Sequence, residues 1–270
     1  MSVTGTGLRV LVTNDDGIAA PGLAALAAAV AGLGHHVVVA APATDHSGAS
    51  SAIGPMGGPD GVEVTAVELD GLGLSDVPAF AVDAPPALIV IIGRLGAFGD
   101  PPDVVVSGIN PGPNTGRSTL HSGTVGAALT AANMGLSGLA VSIGAGPLIH
   151  YETAAAIAAG AVGWVAASPP KTVLNVNVPN VPLAEVRGVR PARLAPFGTV
   201  RTTLGETVDG RLQVELRETE EALDADTDTA LVVAGYVAVT PLLGIRAAVD
   251  VELEAAAAVE GALGLSRAAS

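Results

Sequence analysis

Short apolar runs alternate with helix-patterned stretches through the first two thirds of the chain, and this rhythm leaves few folds open. Residues 8–13, 37–41, 103–107, 139–142 and 173–178 are Val-rich runs bounded by turn residues. Such runs are the mark of strands buried on both faces. Helical patterns lie between them at 21–34, 84–97, 124–134 and 152–167. In the first of these, Leu23, Leu26, Ala27, Val30 and Leu33 share one face, Pro21 suits the first turn and Gly34 the end. Residues 62–69 and 79–82 read as a short hairpin. Strand–helix–strand succession predicts an α/β fold, a doubly wound and mostly parallel sheet with right-handed crossovers. Aromatic residues make up only 2% of the chain, so its core is aliphatic.

The pattern changes near Arg187. Six of the twelve basic residues fall between Arg187 and Arg217, around an Asp209-Gly210 turn signal, and an acidic stretch from Glu218 to Asp228 follows. The expected organisation is one α/β domain over residues 1–270. Its core covers about residues 1–186, a hairpin excursion from the sheet about 187–246, and a C-terminal helix about 248–265. Apolar runs at 231–233 and 237–243 read as surface hidden between subunits.

The first strand runs into Asn14-Asp15-Asp16-Gly17, directly before the first helix. Open α/β sheets place ligands at that carboxyl edge. Two adjacent carboxylates repel, and a cation is the natural way to keep both ionised. One Asp would suffice for a helix cap. Three further loops follow expected strands: Ser47-Gly48-Ala49-Ser50-Ser51, Ser107-Gly108-Ile109-Asn110-Pro111-Gly112-Pro113-Asn114, and Ser122-Gly123-Thr124 at a helix start. The last is suited both to capping and to anion binding.

Other chemistries lack their residues. The chain has no Cys, a single Lys (Lys171), no phosphate-loop motif, no G-x-G-x-x-G after a strand, no G-x-S-x-G elbow and no H-E-x-x-H. A net charge of −14 argues against duplex DNA or RNA as a partner. Residues 1–7 do not read as a signal peptide, and the apolar run 87–92 is too short to span a membrane, so the expectation is a cytoplasmic protein. The five His are more readily surface or supporting residues than ligands, and the well-placed donors are oxygens, which suit Mg²⁺, Mn²⁺ or Ca²⁺. A hard cation facing a helix N-terminus points to metal-dependent phosphoester hydrolysis.

Together these loops resemble the SurE family of stationary-phase survival proteins. The likeness rests on Asn14-Asp15-Asp16-Gly17 with Ala20-Pro21-Gly22, Ser47-Gly48-Ala49-Ser50, Ser107-Gly108-Ile109-Asn110 with Gly112-Pro113-Asn114, and Ser122-Gly123-Thr124. It continues through Leu139-Ala140-Val141-Ser142, Asn175-Val176-Asn177-Val178-Pro179, Gly235-Tyr236 and Thr240-Pro241-Leu242. The resemblance implies a Rossmann-like core and a 5′/3′-nucleotidase, often with polyphosphatase activity. It implies one divalent cation, Mg²⁺ or Mn²⁺ (Ca²⁺ in a crystal), on Asp15, Asp16, Ser47 and Asn110; Asp15 and Asp16 are also the expected catalytic residues, one of them accepting the proton of the attacking water. Contacts to a nucleoside monophosphate would fall on Asn14, Gly48, Asn114, Ser122, Gly123 and Thr124. It also implies a homodimer or homotetramer with exchanged C-terminal segments. The alternative on the same scaffold is a phosphoryl-ligand binding or regulatory protein with little turnover.

This chain departs from the family pattern in three places. Asp45-His46 stands before the Ser47 loop, Asp83-Ala84-Pro85-Pro86-Ala87-Leu88 replaces a Gly-Thr-Pro-x-Asp-Cys segment, and Val233-Ala234 precedes Gly235-Tyr236. The expectation is weak base selectivity and poor use of long polyphosphate.

Overall fold

A computed structural model describes residues 7–54, 61–69, 74–198, 200–208, 211–218, 223–246 and 262, with backbone alone for the strands within 200–218. The elements in chain order begin with β1 (Arg9–Thr13), α1 (Pro21–Ala31), β2 (His36–Pro42), β3 (Val64–Val67), β4 (Ala79–Val82), α2 (Pro86–Arg94) and β5 (Val104–Pro111). They continue with α3 (Gly123–Asn133), β6 (Ser137–Ile143), α4 (Tyr151–Ala167), β7 (Val173–Val178) and β8 (Val189–Pro191). The last are β9 (Val200–Val208), β10 (Arg211–Glu218), α5 (Asp228–Val233) and β11 (Val237–Leu242).

Among the described residues, nine strands form one sheet in the order β3-β4-β2-β1-β5-β6-β7-β11-β8. From β4 through β7 every neighbouring pair is parallel. β3 runs antiparallel to β4, and β11 antiparallel to β7. The apolar runs become strands because both faces of the sheet are covered. α1 and α4 pack Leu23, Leu26, Val30, Ala158 and Val162 on one face against Val10, Val12, Val106 and Val141. α2 and α3 pack Ile89, Val90, Ala127 and Ala131 on the other against Leu11 and Val105. The result is the expected Rossmann-like α/β architecture. Of the face expected on α1, Leu33 lies beyond the helix and is 52% exposed.

Three expectations change. β5 does not stop before the Asn110 loop but carries pairing through Pro111, with a register shift between Gly108 and Asn110. The stretch expected outside the sheet is split: β8 and β11 join the main sheet, and among the described residues β9 and β10 form a separate antiparallel pair, while Asp209-Gly210 lies outside those residues. The apolar run at 231–233 is the end of α5, with Leu231 and Val232 buried against Ala238 of the same chain. The expected C-terminal helix at about 248–265 falls almost wholly outside the described residues. No helix among the described residues is long and apolar enough to cross a membrane.

Candidate active site

From β1 the chain winds outward through β2 and β4, then returns to β5 on the other side of β1. The crevice between the carboxyl ends of β1 and β5 is therefore the topological switch point, where such sheets bind ligands. Thr13 pairs in register with Ser107, so Asp16 and Asn110 each lie three residues beyond a matched pair on adjacent strands.

Asp15 is 3% exposed and sits under the first turn of α3. The Thr124 hydroxyl donates to Asp15 Oδ1 in a short hydrogen bond. A Cβ on Gly123 would come within 2.7 Å of both Asp15 Cβ and Oδ2, so only glycine lets the helix approach this closely. Burial pushes the Asp15 carboxyl up, against the opposing pull of the Thr124 hydroxyl and the Gly123 and Thr124 amides. The positive end of α3 is thus already turned on a carboxylate of the chain itself.

Asp16 is placed differently. Its Oδ2 is buried without a hydrogen-bond partner. Burial, then the charges of Asp15 and Asp45, push its carboxyl up to about 7. A buried carboxylate oxygen with no donor, near the Asp15 and Asp45 charges, suits a cation. Tyr151, at the start of α4, feels the Asp16 charge, and both that charge and, more strongly, burial raise its phenol.

The Ser47 loop is pinned over this centre. The His46 amide donates to the Asp15 carbonyl at 2.8 Å, and Ser50 Oγ donates to the Leu120 carbonyl at 2.6 Å. Ser47 itself is exposed, and its hydroxyl donates to Asp45 Oδ1 at 2.6 Å. The oxygen keeps lone pairs for a further partner. That bond, with one from the Ser47 amide, holds Asp45 below the usual carboxylate range. Asn110 Nδ2 donates to the Gly112 carbonyl at 2.6 Å, which leaves Oδ1 as the acceptor of that side chain. Among the described residues no three His, Asp or Glu side chains converge as a metal cluster. A cation here would therefore draw on hydroxyl and amide oxygens besides the two adjacent carboxylates.

Several expected substrate contacts have internal partners. Asn14 is fully buried and closes its own loop, donating to the Gly17 carbonyl at 3.0 Å and accepting the Gly17 amide at 3.2 Å. Ser122 Oγ accepts the Val125 amide at 3.1 Å and caps α3. Gly48, at φ 81°, has open space around it. Asn114 sits in a network that residue types alone do not disclose. Its amide donates to Asn177 Oδ1 at 2.8 Å, its Nδ2 to Ser142 Oγ at 2.8 Å, and its carbonyl accepts from Asn175 and Asn177 at 2.9 and 3.0 Å. The only sign of these partners in the sequence is polar residues inside strand-like runs, where an unpartnered amide would be costly.

A cavity of about 810 Å³ lies at the opposite, amino-terminal edge of the sheet, around Leu8, Arg9, His36 and Asp103, away from these loops.

Carboxylate, hydroxyl and amide oxygens gathered at the switch point of a doubly wound sheet point to a class, the phosphate-handling α/β proteins. Comparison with known proteins narrows it. Residues 10–199 match the family model described as "Survival protein SurE". The chain is 36% identical over 240 residues to the "5'/3'-nucleotidase SurE" of Yersinia pestis (strain Pestoides F), covering 87% of this chain and 89% of that one. It is 38% identical over 240 residues to the protein of the same name from Cronobacter sakazakii, covering 87% and 90%. The crystal structure of the SurE protein from Aquifex aeolicus superposes with a TM-score of 0.75 at 30% identity, covering 91% of this chain and 97% of that one. The chain belongs to the SurE family.

Proposed function

We propose that this chain is a divalent-cation-dependent 5′/3′-nucleotidase that hydrolyses nucleoside monophosphates to nucleoside and phosphate. The observation that carries the metal dependence is the Asp15–Asp16 pair at the switch point, with Asp16 Oδ2 buried and unpartnered. The names of the family relatives support the reaction. Asp15, Asp16, Ser47 and Asn110 would hold the cation, and their oxygen donors suit Mg²⁺ or Mn²⁺. When bound, such an ion neutralises the carboxylate pair and polarises a phosphoryl oxygen.

The chain's own groups divide the remaining work. Asp15, held by the Thr124 hydroxyl, fixes the geometry of the pair. Asp16 has the freer carboxylate and accepts the proton of the attacking water. Asn114, oriented through its backbone by Asn175 and Asn177, and the first turn of α3 at Ser122 and Gly123 hold the phosphoryl oxygens as charge develops. The active unit is a homodimer or homotetramer, a reading supported by the exposed apolar groove along α4, β7, β11 and β8.

The test is phosphate release from a panel of 5′- and 3′-nucleoside monophosphates with Mg²⁺ or Mn²⁺. Turnover of purine and pyrimidine members within about a hundredfold in kcat/KM, roughly 2.7 kcal/mol, is the expected result. No release from any member with either metal would overturn the reading.

A further inference from the structure

We infer that Asp228 is a positioning residue for the candidate phosphate loop, acting on Asn114 through the backbone of Gly116; this rests on the nucleotidase reading. Asp228 lies at the start of α5, far from the switch-point crevice in sequence, and is 0% exposed. Its carboxylate gathers three backbone donors from three segments. Oδ2 accepts the Gly116 amide at 2.9 Å, and Oδ1 accepts the Ala195 amide at 2.9 Å and the Thr229 amide at 2.8 Å.

The Gly116 bond reaches into the segment after β5 that carries Asn114 and leads to Ser122. Gly116 has φ 63°, and a Cβ there would come within 2.4 Å of the Phe197 carbonyl group, so loop and C-terminal segment meet backbone to backbone. Asn114, two residues earlier, is held on its other side by Asn175 and Asn177 of β7. The peptide from 114 to 116 is therefore clamped between a strand of the core sheet and the Asp228 carboxylate. With one side released, Asn114 keeps its bonds to β7 but loses the constraint on the peptides that follow it. A misplacement of this kind lowers catalysis without removing a group that touches substrate.

Asp228 also bonds across the excursion: Ala195 precedes β9 in sequence, and Asp228 follows β10. One side chain thus links the segment before β9 and the start of α5 to the phosphate loop.

The experiment uses the full chain and a double-mutant cycle between Asp228→Asn and Asn114→Ala, read by kcat and KM on a nucleoside monophosphate and by hydrogen exchange across residues 110–122. Asp228→Asn keeps the shape but replaces one acceptor oxygen with a donor nitrogen facing an N–H. Asp228→Glu keeps both acceptors and displaces them by one methylene, and carries the same cycle if the Asn variant does not fold. The expected result is a tenfold or greater fall in kcat for the Asp228 variant and faster exchange at residues 114–116. In the Asn114→Ala background the same change should cost less than threefold, because coupled residues are not additive. An equal loss in both backgrounds would overturn the positioning role and leave a general stability effect. Unchanged exchange at 114–116 would overturn the clamp whatever the activity. A wild-type chain inactive on every nucleotide would instead count against the nucleotidase reading, and the exchange arm would still decide the clamp.

Discussion

The Thr124 hydroxyl donates to Asp15 Oδ1 across 109 positions of sequence, and neither group is open to solvent. This bond makes Thr124 a partner of the carboxylate pair before it is a partner of any phosphate. Thr124→Val should leave Asp15 Oδ1 without its donor and lower stability by about 1.5–3 kcal/mol, the range for a hydrogen bond to a charged group. Loss of that bond raises the Asp15 carboxyl further, so the acid limb of the kcat/KM profile should move to higher pH. Thr124→Ser should restore both. Inhibition by product phosphate should change less than twofold in Thr124→Val. A large loss of phosphate affinity with an unmoved acid limb would return Thr124 to the role of a direct phosphate contact.

Asp16 sets a pH dependence of opposite sign with and without metal. Its folded-state value of about 7 lies above the ordinary carboxylate value near 3.9, so the metal-free fold binds the proton more tightly than the unfolded chain does. The corresponding stability is fully present below about pH 4 and is lost as pH rises through about 7. In EDTA, Asp16→Asn should remove this loss and flatten the melting temperature between pH 5 and pH 8. With saturating Mn²⁺ the wild type should instead gain stability over the same window, because the ion needs the ionised carboxylate. Identical pH profiles for wild type and Asp16→Asn in EDTA would contradict this assignment.

Two glycines in helices should answer oppositely to alanine. Gly123→Ala drives a methyl to 2.7 Å from the Asp15 carboxylate, and should cost about 1–3 kcal/mol of stability and perturb the metal site. Gly160→Ala, in the interior of α4 with nothing within 4 Å, should add about 0.5–1 kcal/mol. Chemical denaturation of both variants checks the pair.

Trp164 is 56% exposed beside an open apolar groove of about 590 Å³ lined by Ile157, Ala161, Leu174, Val176 and Val239. Light scattering at micromolar concentration should show a dimer or tetramer, and Trp164→Glu should shift it toward the monomer. A monomeric wild type would rule out the proposed assembly.

The sequence made some of this legible for physical reasons. β1, β5 and β7 could be read because strands buried on both faces must be continuous apolar runs, and α1 because Pro21 and Gly34 mark its surroundings. The site loops could be read because carboxylate and amide residues after such strands have few structural uses. Direction was not legible: an apolar run such as Val237–Leu242 looks the same parallel or antiparallel, and β11 proved antiparallel to β7. Nor was hydrogen-bond commitment legible. The hydroxyls of Ser122 and Thr124 are open donors and acceptors in the sequence, whereas in the fold one caps a helix and the other holds Asp15. Asp228 reads as the end of an acidic surface stretch, and three backbone donors draw it inside.

Metal dependence is most directly read by setting Mn²⁺ affinity from calorimetry beside nucleoside monophosphate hydrolysis, for the wild type and Asp16→Asn at pH 8. The substitution should lower affinity and kcat/KM together, each by about a hundredfold or more, roughly 2.7 kcal/mol, and excess EDTA should abolish wild-type turnover. Wild-type turnover that persists in excess EDTA, or an Asp16→Asn variant that keeps full activity, would contradict this metal dependence.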